Sequence, residues 1–169
     1  YDPSQPSDLE TLLNEHEFSD DLLARAAELR QRLVTLKLSK YNVPGAADVA
    51  LPDHRTVILV PGQVESDASI ATGSPEIRTN SALLKAVRQS QPNAFIIYKA
   101  HPDVISGARV GKLDTDAKRL YDLDASHVDI TALLERVNAV HTMSSLTGFE
   151  ALLRHRQVTT YGLPFYAGW

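Results

Sequence analysis

The run Thr56-Val57-Ile58-Leu59-Val60-Pro61-Gly62 decides the fold. Its first five residues are apolar or β-branched without alternation, and Pro-Gly closes them, so Thr56–Val60 reads as a short strand buried on both faces. Strands of that kind belong to parallel sheets covered by helices above and below. Moving outward, Ser81–Gln89 carries Leu83, Leu84 and Val87 at helical spacing and stops before Pro92, and Ala94–Lys99 is a second buried strand. Asp129 caps a helix containing Leu133, Leu134 and Val137. Ala139–Thr142 is a strand, Leu146–Arg154 a helix and Gln157–Tyr161 a last strand. The polar stretch 103–128 predicts only a short strand near His127-Val128. Strands separated by helices need right-handed crossovers, which gives an α/β protein: a Rossmann-like, mostly parallel sheet flanked by helices.

Toward the N-terminus the pattern turns helical. Ser7-Asp8 caps a short helix ending near Glu17, and Ser19-Asp20-Asp21 opens a longer one with acidic residues against its dipole. Leu22, Ala26, Leu29, Leu33 and Leu36 form one apolar stripe, with Arg25, Arg30, Arg32 and Lys37 mostly off it. Asn42-Val43-Pro44-Gly45 is expected to stop this helix, and a loop runs to Asp53. The chain therefore divides into a helical arm or linker over 1–50 and a Rossmann-like domain over 51–169. The closing segment Pro164-Phe165-Tyr166-Ala167-Gly168-Trp169 is aromatic without a polar tail, so the domain is expected to be truncated at its C-terminus.

Composition narrows the chemistry. The 169 residues hold 17 Lys and Arg against 21 Asp and Glu, a net charge of −4, which argues against nucleic acid or a membrane surface as a broad partner. There is no cysteine, which excludes disulfides, a thiolate metal site and a Cys nucleophile. No His-x-x-His or His-Glu-x-x-His spacing occurs, so no metal is expected. The apolar runs are too short to span a bilayer and the N-terminus lacks signal-peptide character, which predicts a cytoplasmic protein.

In such sheets ligands bind beyond the carboxyl ends of the strands. The segment Met143-Ser144-Ser145-Leu146-Thr147 joins a strand to a helix, where hydroxyls and free N–H groups suit a phosphate. The competing reading is a plain N-cap, and Thr147-x-x-Glu150 fits a capping box. Glu150 falls on the sheet-facing arc of its helix and needs a partner there, either a ribose diol or a backbone N–H. Lys99 and His101 follow the second strand and can stabilise charge on a departing phosphate, or be a surface lysine and a loop histidine. Gln63, Glu65, Asp67 and Ser69 alternate after the first strand and share one side if the backbone stays extended. Two carboxylates there make a nucleophile conceivable; a solvated, capping loop is about as plausible. His16, His54, His127, His141 and His155 read as structural or exposed.

The blocks Gln63–Ile70, Lys99-Ala100-His101-Pro102-Asp103, Thr142–Leu152 and Tyr161–Trp169, with Ser39-Lys40-Tyr41-Asn42, resemble the bacterial capsule polysaccharide synthesis/export family of the KpsC type. The resemblance runs from about Ser39 onward and is loose over 103–128. It implies the nucleotide-binding half of a GT-B-type retaining β-Kdo glycosyltransferase, with CMP-Kdo as donor and no separate cofactor. It also implies a glycolipid acceptor, a second Rossmann-like half, a role in building the poly-Kdo linker of a capsule, and peripheral contact with the inner membrane or export machinery. Asp67 would be the nucleophile with Glu65 second, and His101 would assist the leaving group. Gln63, Lys99, Ser144, Ser145, Thr147 and Glu150 would hold the donor, and the Tyr161–Tyr166 loop would line the mouth. Two other readings fit the same blocks: a non-catalytic assembly or export module, and an inverting CMP-sugar transferase of sialyltransferase type.

Overall fold

A computed structural model describes residues 5–42, 45–46 and 49–168. Five strands, β1 (Val57–Pro61), β2 (Phe95–Lys99), β3 (Leu123–Asp124), β4 (Ala139–Thr142) and β5 (Gln157–Thr160), form one sheet in the order β3-β2-β1-β4-β5. Every pairing is parallel, with Val57 opposite Phe95 and Ile58 opposite both Ile96 and Ala139. Side chains alternate across the two faces. Ile58, Val60, Ile96 and Tyr98 meet Ile70 of α3 (Ala68–Gly73) and Leu83, Leu84 and Val87 of α4 (Asn80–Ser90). Val57, Leu59, Ile97 and Val140 meet Leu133 and Leu134 of α6 (Ile130–Arg136) and Ala151 of α7 (Leu146–Leu153). All five residues of β1 are buried, which is why the sequence there does not alternate.

The arm holds α1 (Asp8–Glu15) and α2 (Asp20–Thr35), capped by the Ser7 and Ser19 hydroxyls as expected. Neither helix buries a residue among those described, so the apolar stripe does not pack on this sheet. The second helix stops well before Asn42. Leu38 N–H bonds back to Leu33 O while Lys37 takes a φ of 51°, a left-handed closure that satisfies the last carbonyls without glycine. Val43 and Pro44, expected to end that helix, lie outside the described residues.

The expected strand at His127-Val128 is displaced. The third strand forms at Leu123–Asp124 against Ile97 and Tyr98, and Val128 makes only an isolated parallel bridge with Ala46. A strand of two residues is too short to leave an apolar signature in the sequence. A short helix α5 (Pro102–Ile105) follows β2.

Candidate active site

The strand order reverses between β1 and β4, where the chain leaves β1 toward β2 and later returns on its other side. That is the crevice where an open α/β sheet takes a ligand. Here it opens into a cavity of about 530 Å³, within the range of small-molecule sites. Gly62 starts the loop beyond β1, and a Cβ there would lie 2.6 Å from Tyr98 Oη, so any other residue would have to push the buried Tyr98 ring aside.

Gln63 fastens the two loops at the crevice. Its Oε1 accepts from Thr142 Oγ1 at 3.0 Å and from the Ser144 N–H at 3.0 Å, and its Nε2 donates to Ser144 Oγ at 3.2 Å. The Ser144 N–H can only donate, which fixes the atom facing it as the amide oxygen. Ser144 thus accepts internally and keeps its own O–H for a ligand. Ser145 does the same, its Oγ accepting from the Thr147 N–H at 3.2 Å. It is therefore Ser145 that caps α7, and the Thr147–Glu150 capping box does not form. Thr147 lies in the first turn, half-buried and lining the cavity.

Glu150 finds its partner on the arm. Its Oε1 accepts from the Lys40 N–H at 2.7 Å, while Arg154, on the same helix face, donates to Leu38 O at 3.3 Å. Residues 38–42 are so strapped across the cavity, closed by reciprocal bonds between Ser39 and Asn42. Burial pushes the Glu150 carboxyl up, opposed by the Lys40 N–H and by Arg154. The strap brings Tyr41 Oη to 3.1 Å from His101 Nε2. Nδ1 of the same ring accepts from the Asp103 N–H at 3.2 Å, so the neutral ring carries its proton on Nε2, on the Tyr41 side. Burial lowers the His101 pKa against the pull of Asp103 and favours that neutral form.

Lys99 lines the cavity but gives its ammonium to Ser126 O at 3.1 Å and Val128 O at 2.7 Å. Burial lowers its pKa, with Asp129 and Asp124 opposing. Its charge is already partnered, and it holds the loop beyond β3 in place.

The expected common face of Gln63, Glu65, Asp67 and Ser69 does not exist, because α3 begins at Ala68. Glu65 turns away and accepts from the Asn80 N–H at 2.7 Å, and it is not among the cavity's lining residues. Asp67 occupies the N-cap position of α3 yet makes no side-chain cap bond. Its Oδ1 instead accepts from Arg109 Nη2 at 2.8 Å. Asp67, Ser69, Lys99, His101, Ser144 and Glu150 all border the one cavity.

The Tyr161–Tyr166 loop is not at the mouth. It buttresses the site from behind, with the Tyr166 O–H donating to Ser145 O and Phe165 packing on Phe149. Tyr41, Asn80 and Arg109 were not singled out by sequence. Tyr41 sits in a block that carries the resemblance, whereas Asn80 reads only as a helix-start residue and Arg109 falls in the loosely matching stretch. His127 lines the cavity, and His141, a buried residue of β4, bonds Tyr161 Oη through Nδ1 at 3.1 Å. Among the described residues no group of His, Asp or Glu is arranged to hold a metal ion, and no helix is long and apolar enough to cross a membrane.

Burial lowers the pKa of both His101 and His141, so the unfolded chain binds more protons than the folded one between the lowered values and about 6.5. Stability from these groups is present above that window and is lost as pH falls through it. Melting temperature is expected to drop from about pH 7.5 to about pH 5.5, and a His141→Asn variant to show a shallower drop. Equal slopes for the two proteins would remove His141 from the account.

The profile of the family described as capsule polysaccharide biosynthesis protein matches residues 1–169. The chain is 51% identical over its whole length to the capsule polysaccharide modification protein LipA of Neisseria meningitidis, of which it covers 24%. It is 40% identical to the lipopolysaccharide-processing protein LpsZ of Rhizobium meliloti, covering 40% of that protein. Among solved structures, the β-Kdo 2,7 transferase of Thermosulfurimonas dismutans KpsC matches 99% of this chain with a TM-score of 0.79 and 39% identity. The β-Kdo 2,4 transferase of the same KpsC matches 99% with a TM-score of 0.84 and 31% identity. The chain spans 51% and 53% of those two structures.

Proposed function

The chain belongs to the capsule polysaccharide biosynthesis protein family, and from that premise we propose that it is the donor-binding half of a retaining glycosyltransferase that takes Kdo from CMP-Kdo. The observation that carries this reading is that Asp67, His101, Ser144 and Ser145, from loops beyond three different strands, border one cavity at the switch point of the sheet. A Kdo transferase activity is named for both structural relatives.

On this reading an Asp67 carboxylate oxygen attacks the anomeric carbon of the sugar. The bond from that carbon to the CMP phosphate oxygen breaks, and its electron pair leaves with CMP. The Ser144 and Ser145 hydroxyls, both with an O–H to spare, bond the phosphate whose charge grows. The His101 Nε2–H is the third donor once Tyr41 yields it. An acceptor hydroxyl then attacks the same carbon and gives up its proton to water, while the bond to Asp67 breaks and its electron pair returns to the carboxylate, so two inversions give net retention. Glu65 supports α4 and is set aside as a nucleophile. The glycolipid acceptor, the second Rossmann-like half and any contact with the inner membrane or export machinery belong to this same proposal and concern the longer protein.

The test is mass analysis of the full-length protein after incubation with CMP-Kdo, with peptide mapping. A Kdo adduct on the peptide holding Asp67 is expected. Ser144→Ala is expected to raise the donor concentration for half-maximal adduct formation about tenfold, the worth of a charge-assisted hydrogen bond. Transfer with inversion and no adduct would favour the sialyltransferase-like reading instead.

A further inference from the structure

The ion pair between Arg109 and Asp67 is poorly explained by stability. Their side chains are 45% and 51% exposed, and a pair so wet adds little to folding. Asp67 nevertheless forgoes the N-cap bond its position offers and takes Arg109 instead. The loop that carries Arg109 is fixed to the Asp67 segment with unusual care. Glu65 N–H donates to Val110 O at 3.0 Å, buried Asn80 donates through Nδ2 to Gly111 O at 2.9 Å, and Arg109 N–H donates to Asp103 O at 3.0 Å. Gly111 sits at a φ of +152°, and a Cβ there would lie 2.7 Å from Gln63 O.

We propose that Arg109 is a positioning and charge-compensating residue for Asp67, serving a donor whose reacting carbon bears a carboxylate of its own. The inference rests on Asp67 being the nucleophile. An anion that attacks a carbon carrying a carboxylate, with a phosphate leaving, brings three negative groups together. A cation beside the nucleophile offsets that repulsion and holds the attacking oxygen in line. Of the cavity's own cations, Lys99 is held by two carbonyls, exposed Lys40 sits over the Tyr41 ring at 4.8 Å, and burial holds His101 toward its neutral form; Arg109 reaches the cavity through Asp67. Among the described residues, the guanidinium hydrogen bonds run from Nη2 alone, to Asp67 and to Ser66 Oγ at 3.5 Å.

The experiment uses the full-length protein, with adduct formation followed in single turnover. Arg109→Met is expected to slow the adduct about 100-fold or more, with the donor concentration for half-saturation and the melting temperature little changed. Arg109→Lys, which keeps the charge and loses the planar fork, is expected to lose about tenfold. Added guanidinium is expected to restore part of the rate to Arg109→Ala, an effect that a structural role would not give. Adduct formation by Arg109→Met at the normal rate overturns the proposal. An Asp67→Ala control separates the two failures: an adduct that persists there removes Asp67 as nucleophile, and the role of Arg109 with it.

Discussion

Asp67→Asn in the full-length protein is expected to lower Kdo transfer by at least about 1,000-fold while CMP binding stays within a few-fold of normal. The amide has nearly the shape of the carboxylate but cannot form the acyl-linked sugar. The fold does not depend on the carboxylate, because Asp67 is half-exposed and makes no cap bond to α3. Arg109 loses a charged partner, and that costs little in a wet pair. The Ser144, Ser145 and His101 donors are untouched, so the nucleotide still has its site. Transfer within about tenfold of normal would take Asp67 out of the chemistry, and loss of CMP binding with transfer would reduce it to a binding group.

The second large effect concerns stability. Asn80 is fully buried, with Oδ1 accepting from Gln63 N–H at 2.9 Å and Nδ2 donating to Gln63 O and Gly111 O at 2.8 and 2.9 Å. Asn80→Leu keeps the branching at Cγ, removes the polar atoms and strands three backbone groups in the interior. At about 1–3 kcal/mol for each unpaired group, the loss is about 4 kcal/mol. A domain of this size shifts by about 2–4 °C per kcal/mol, so the melting temperature is expected to fall by about 10 °C. A fall below about 2 °C would mean that water replaces the amide, and that Asn80 is not the keystone of these loops.

Both effects come from residues of very different legibility. Asp67 is visible in the sequence as one of two carboxylates in an alternating block after a strand buried on both faces, where spacing does not separate it from Glu65. The true setting of Asp67 is not visible there, since the start of α3 at Ala68 breaks the extended run on which the shared face depended. Ser144 and Ser145 were legible as a hydroxyl pair between a strand and a helix. Glu150 was legible as a buried carboxylate in need of a partner. The partner was not, because it is the Lys40 N–H, 110 residues away. The sequence offers Lys99 as a cation for a phosphate or as a surface lysine, and carbonyls of a loop 27 and 29 residues on take its ammonium.

What local physics encodes can be read directly along the chain. Unbroken apolar runs set β1 and β2, helical spacing set α4, α6 and α7, and the alternation of strands with helices set a parallel sheet with its ligand edge at the strand ends. Which polar groups are left to react emerges only when distant segments meet. Tyr41 reaches His101 across 60 positions and Arg109 reaches Asp67 across 42. A hydrogen bond or ion pair between such residues leaves no periodicity in the chain, because its energy depends on a distance of about 3 Å that exists only after the sheet has assembled.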